Sequence, residues 1–68
     1  MNEETFNLSI RKFLKMVGIR SQREIEQAVA DATASGAIKG AESFPAIVTL
    51  EVAGLALKVK FDGEIRLE

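Results

Sequence analysis

Side chains that perform chemistry at neutral pH are scarce in this sequence. It contains no histidine, cysteine, tryptophan or tyrosine. General acid–base catalysis usually begins with histidine, and zinc, copper and iron prefer nitrogen and sulfur ligands. A serine nucleophile needs an adjacent activating base, and no such partner is visible for Ser9, Ser21, Ser35 or Ser43. We therefore predict no catalytic residue, no metal site and no cofactor, and we expect that the protein is not an enzyme.

The remaining polar clusters have structural interpretations. Glu24 with Glu26, and Asp62 with Glu64, supply too few oxygen ligands for a calcium loop. The glycine-containing segment 36–40 lacks the Lys-Ser or Lys-Thr pair that completes a phosphate-binding loop. We interpret these clusters as solvated surface.

Length and charge favour one small domain over residues 1–68. A domain of 68 residues buries only about 60% of the surface of its unfolded chain, and small domains usually gain stability from disulfides, metals or a second subunit. The first two are largely closed here, so extra stability must come from good packing or from self-association, and the sequence is compatible with a monomer and with a homodimer. The net charge of −1 argues against nucleic acid and membrane partners. With no signal-like segment and no long apolar run, we expect a cytoplasmic protein.

Two helices are predicted in the N-terminal half. Asn2 is the expected N-cap of the first and Gly18 its C-cap, while residues 21–24 have the form of a capping box that starts the second, which ends at Gly36. The apolar stripes consist of Phe6, Ile10, Phe13, Leu14 and Val17 in the first helix and of Ile25, Ala28, Val29 and Ala32 in the second. A short strand over residues 6–10 is a competing interpretation, since these residues also fit a period of two.

Three strands are predicted in the C-terminal third, at residues 46–52, 55–60 and 64–68. Apolar and polar residues alternate along them, which is typical of half-buried strands. A two-residue turn at 53–54 would pair Val52 with Leu55, Leu50 with Leu57 and Val48 with Val59. A three-residue loop at 61–63 keeps the third strand on the same face. The predicted fold class is α+β, with two N-terminal helices packed on one face of a three-stranded antiparallel β-meander.

The predicted function is that of a non-enzymatic module for protein–protein interaction or self-association. The first strand, 46–52, has a sheet edge protected by a single charge, Glu51, so a second copy or another partner could add a strand there. The candidate interaction surface consists of Ile47, Thr49, Glu51, Lys58 and Lys60 on the sheet and of Arg20, Gln22 and Arg23 at the start of the second helix.

An alternative function is that of a minimal nucleic-acid-binding protein. Residues 13–29 resemble a helix-turn-helix, the following hairpin resembles a wing, and Gln22, Arg23 and Lys58 would make the contacts. Two observations oppose this alternative. Counted from Gly18, the motif expects a hydrophobic residue at position 24, but the sequence has it at Ile25. The second helix also carries three carboxylates and only one nearby cation, Arg23, so it would repel phosphates.

Four segments carry a resemblance to a known family. They read MNEETFN at residues 1–7, RKFLKMVG at 11–18, SQREIEQAV at 21–29 and KFDG at 60–63. Taken over nearly the whole chain, they resemble a small family of uncharacterised bacterial proteins of about this length. The resemblance implies a free-standing cytoplasmic protein and no activity, and no site residue is carried over from it.

Overall fold

A computed structural model describes all residues, 1–68. Helix α1 comprises Glu3–Ala34, strand β1 Ser43–Val52 and strand β2 Leu57–Arg66, with a short 3₁₀ turn at Ala53–Leu55. The chain divides into two units, Met1–Ser35 with the helix and Gly36–Glu68 with the two-stranded antiparallel sheet. The predicted arrangement of two helices and a three-stranded meander is therefore wrong. One helix replaces two, and one hairpin replaces the meander.

Both ends of α1 follow the predicted signals. The Asn2 Oδ1 accepts a hydrogen bond from the backbone N–H of Thr5 at 3.0 Å, so Asn2 is confirmed as the N-cap. The last turn ends at Ser35, whose N–H donates to the Asp31 carbonyl at 3.0 Å. Gly36 follows with a φ of +79°, a left-handed conformation that glycine adopts without steric cost. Gly36 is thus confirmed as the stop.

The predicted break between Gly18 and Ser21 is wrong, because α1 continues through both residues. The helix-turn-helix at 13–29 is therefore absent, and so is the alternative strand at 6–10. An interior glycine costs about 1 kcal/mol relative to alanine. Ending the helix there would instead leave several backbone N–H and C=O groups without partners. Apolar spacing also stays in phase across the glycine, since Val17 and Ile25 are eight residues apart and lie on the same side of the helix.

The observed strand register differs from the predicted one by two residues. Val52 pairs with Leu57, Leu50 with Val59, and Val48 with Phe61. Because two is the period of a strand, this shift keeps Val48, Leu50, Val52, Leu57 and Val59 on the same face, whereas Leu55 lies in the connecting loop. The connecting loop has four residues, 53–56, and only Ala56 adopts a positive φ, of 51°. A two-residue hairpin turn of type I′ would require positive φ at both central residues, one of them an alanine.

The predicted loop at 61–63 is also wrong, because β2 passes straight through it. Gly63 lies opposite Ala46, and Asp62 lies opposite Ile47 on the other face. Residues predicted to start a third strand therefore form the end of β2, and Phe44, predicted to lie in a connector, pairs with Ile65. The result is one continuous ladder of ten residue pairs in place of two short hairpins.

Replacing Gly18 with alanine tests the continuity of α1. A Cβ at this position would meet no atom within 4 Å, and alanine is the better helix former, so Gly18→Ala should raise the free energy of unfolding by about 1 kcal/mol. Gly36→Ala is the matched control. Its positive φ should make that substitution destabilising by about 1 kcal/mol. Urea unfolding followed by circular dichroism gives both values, and a loss of stability in Gly18→Ala would contradict the single helix.

Candidate interaction surfaces

The hairpin has one wholly apolar face. Its members come from alternate positions of both strands and lie opposite one another across the ladder. This hairpin apolar face consists of Phe44, Ala46, Val48, Leu50, Val52, Leu57, Val59, Phe61 and Ile65. None of these side chains is buried, and Phe61 and Val48 are 56% and 49% exposed. A large apolar surface of this kind is typical of an interaction site.

The opposite face is polar and contains five of the predicted interaction residues, Ile47, Thr49, Glu51, Lys58 and Lys60. Lys58 lies directly opposite Glu51, with 3.9 Å between Nζ and Oε1. Lys60 lies opposite Thr49. The structure thus places these five residues on one face. Their role in binding stays a prediction.

A second polar cluster lies at the open end of the ladder. Ser43 Oγ donates a hydrogen bond to Glu64 Oε1 at 2.7 Å, and Arg66 Nε lies 4.0 Å from the same oxygen. Arg66 lies opposite Ser43 in the ladder. Exposed ion pairs such as these contribute at most about 1 kcal/mol each.

Backbone hydrogen bonding shows which residues of β1 face its free edge. The Glu42 carbonyl accepts from the Leu67 N–H at 3.0 Å, one step beyond the pair Ser43 and Arg66. Hydrogen-bonded and non-hydrogen-bonded pairs alternate along an antiparallel ladder. The even-numbered residues of β1 therefore bond to β2, and the backbone groups of Ile47, Thr49 and Glu51 point to the free edge.

The three predicted helix residues, Arg20, Gln22 and Arg23, lie in the middle of α1. They were predicted to start a second helix, and that placement is wrong. Gln22 Nε2 donates to Glu26 Oε2 at 3.4 Å, a pairing between residues one turn apart. Arg20 and Arg23 have no ion-pair partner in the structure.

Helix α1 has an apolar stripe that the two predicted half-stripes share. At 3.6 residues per turn its members fall within an arc of about 120°. This helix stripe consists of Phe6, Ile10, Phe13, Leu14, Val17, Ile25, Ala28 and Ala32, and polar residues that include Ser21, Glu24 and Asp31 lie in the same arc. Its larger side chains are open, with Phe6 and Phe13 48% and 47% exposed.

The connector between α1 and β1 is held by the carboxylate of Glu42, a residue that was not among the predicted functional residues. Glu42 Oε2 accepts from the backbone N–H of Lys39 at 2.8 Å, and Glu42 Oε1 accepts from the N–H groups of Gly40 at 2.8 Å and Ala41 at 3.1 Å. These bonds, that from Lys39 first, lower the pKa of the Glu42 carboxyl below its ordinary value. The available sequence signal was a glutamate two residues after Gly40, and in the structure Gly40 has a φ of +103°.

Sequence reasoning also missed the extent of the hairpin apolar face. Phe44 and Phe61 belong to it, although they were predicted to lie outside the strands. The signal was present, because parity continues without a break from 44 to 52 and from 57 to 65. Asp62 and Gly63 are typical of a turn, and for that reason the alternation was not followed beyond residue 60.

A family model described as a family of unknown function, DUF6494, matches residues 1–68. The chain belongs to this family. The predicted resemblance to a small uncharacterised family is thereby confirmed over the whole chain. No curated protein and no solved structure matches it.

Two further observations concern metal binding and membrane spanning. No three acidic side chains lie close enough together to hold a metal ion. No helix combines the length and the apolarity required to cross a membrane.

The hydrogen bonds of Glu42 predict a pH dependence of the connector. A lowered carboxyl pKa contributes stability above the ordinary value of about 4.3, and this contribution is lost as the pH falls through the lowered pKa. The amide proton shifts of Lys39 and Gly40, followed by NMR, should therefore titrate with a midpoint below that of an ordinary glutamate. The transition should disappear in Glu42→Gln. A midpoint at the ordinary value, or one unchanged in the variant, would contradict the arrangement.

Proposed function

We propose that this chain is a non-enzymatic interaction module that associates with a second copy of itself through the free edge of β1. The observation that supports the proposal is the hairpin apolar face on a sheet of only two strands. An isolated two-stranded hairpin is at best marginally stable in water, and three or more strands with an apolar face are needed for independent stability. Pairing with a strand of a second copy would raise the number of strands in the sheet above two and so meet that requirement.

The β1 edge suits strand addition better than the β2 edge. Every outward position of β2 from 58 to 66 holds a charged residue, and rows of charges protect an edge against pairing. The corresponding positions of β1 hold a single charge, Glu51. Pro45 at the far end lacks an N–H group, which limits a ladder between copies to the segment around Thr49.

Antiparallel pairing of two β1 edges also enlarges the apolar surface. Because all members of the hairpin apolar face lie on one side, two paired hairpins would form a four-stranded sheet with a continuous apolar face. An interface of this kind uses the same patch on both copies and closes with two-fold symmetry. This geometry supports a homodimer.

Proline substitution tests the β1 edge. Thr49→Pro removes an N–H that faces the free edge and is not used within the hairpin. Loss of two symmetry-related hydrogen bonds, each worth about 1 kcal/mol, should raise the dimer dissociation constant at least tenfold. Light scattering over a concentration series measures the mass.

Lys60→Pro is the matched control. Lys60 lies opposite Thr49 and its N–H points to the other edge, so both prolines disturb the hairpin alike. The control should keep the mass of the unmodified protein. Equal masses for the two variants, or a monomeric unmodified protein, would contradict association through β1.

A further inference from the structure

Charge is distributed unevenly along this chain. Residues 5–23 contain five of the nine cations and no anion, and we call this part of α1 the basic segment. Residues 24–68 contain four cations and eight anions. The net charge of −1 for the whole chain therefore conceals a strongly positive stretch of helix. Its cations are Arg11, Lys12, Lys15, Arg20 and Arg23.

The cations of the basic segment have no ion-pair partner. Both ion pairs of the structure lie in the hairpin, where Lys58 meets Glu51 and Arg66 meets Glu64. The positive charge of the basic segment is therefore not neutralised within the chain. A partner with negative charge would be attracted to it.

One side of the basic segment is free of charge. Within residues 5–23 the arc of the helix stripe holds five large apolar residues, and its other members there, Asn7 and Ser21, are uncharged. Charged residues enter the same arc only outside the segment, at Glu3, Glu24 and Asp31. The lack of anions and the uncharged arc therefore both end at Glu24. The five apolar residues are Phe6, Ile10, Phe13, Leu14 and Val17.

Cations border the uncharged arc on both sides. At about 100° per residue, Arg20 lies about 20° beyond Phe13, and Arg11 lies about 60° beyond Leu14. Long cationic side chains in such positions can keep their charge in water beside an apolar face. The other three cations lie on the far side of the helix, together with three apolar residues, Leu8, Met16 and Ile19. A helix is about 10–12 Å across, so a charge on the far side still lies within about a Debye length of a surface under the arc.

We infer that the basic segment binds along the surface of a membrane that contains anionic lipids. The uncharged arc would enter the boundary between head groups and acyl chains, and Arg11 and Arg20 would lie at the level of the head groups. Basic amphipathic helices with phenylalanine and leucine on the apolar side bind in this way. The exposed side chains of Phe6, Phe13 and Leu14 supply the apolar contact.

Other anionic partners fit the basic segment less well. A nucleic acid would contact the cations and leave the uncharged arc in water. A protein groove would need anions at fixed positions for cations that lie on both borders and on the far side of the helix. A fluid lipid surface requires no such match, because its charge is spread over many mobile head groups.

Sedimentation of the full chain with vesicles tests this inference. The vesicles consist of phosphatidylcholine alone or of phosphatidylcholine with about 30% phosphatidylserine. The partition coefficient should be about tenfold or more higher for the anionic vesicles, because each cation near such a surface contributes about fivefold. It should fall by a similar factor between about 0.05 and 0.5 M salt. Equal partition onto both vesicles, or no binding to the anionic ones, would overturn the inference.

Removal of the border cations tests the role of the basic segment. Arg11→Gln combined with Arg20→Gln should lower the partition coefficient about tenfold or more, while glutamine, a good helix former, preserves α1. Lys58→Gln combined with Lys60→Gln is the matched control, because it removes the same charge from the hairpin. Circular dichroism checks the helix content of both variants. Equal losses in the two variants would contradict binding through the basic segment.

Removal of one phenylalanine tests the apolar contact. Phe13→Ser should lower the partition coefficient about tenfold, and serine and phenylalanine have similar helix propensities. Phe61→Ser, on the hairpin apolar face, is the matched control and should keep the original value. Loss of binding in the arginine variant with no loss in Phe13→Ser would overturn insertion and indicate a general affinity for anions. The mass without vesicles tests association through β1 separately, so the two proposals can fail independently.

Discussion

The need to cover apolar faces that neither unit can bury by itself governs the structure. A single helix has no second helix within Met1–Ser35, and a two-stranded sheet has no second layer within Gly36–Glu68. Stable domains consist of two or more packed layers around a core. No residue of the chain is buried, and the hairpin apolar face alone includes two phenylalanines. A helix of this length gains most of its stability from packing of its apolar face rather than from intrinsic propensity.

Polar interactions determine local geometry and contribute little to this balance. The ion pairs of Lys58 with Glu51 and of Arg66 with Glu64 are exposed, and their N–O distances of 3.9 and 4.0 Å are long for ion pairs. Asn2 and Glu42 act differently, because each satisfies backbone N–H groups that would otherwise lack a protein partner. These residues define where elements begin and how the connector turns.

Membership of a family of unknown function leaves the role of the protein to be argued from its surfaces. One feature of the hairpin favours a second copy of the chain, the sparsely charged edge of β1. An edge that pairs with its own copy uses the same patch on both copies, as a two-fold interface requires. Association through that edge would widen the two-stranded sheet to four strands.

Local sequence signals by themselves determined the ends of α1 at Asn2 and Gly36, the parity of the strands, and the common face of Ile47, Thr49, Glu51, Lys58 and Lys60. Only the tertiary structure decided that the helix passes Gly18 and that β2 passes the turn-like residues 62–63. A cap or a turn residue is worth about 1 kcal/mol, whereas an uninterrupted helix or ladder satisfies many backbone groups together. Alternation cannot distinguish registers two residues apart, because both place the same side chains on the same face.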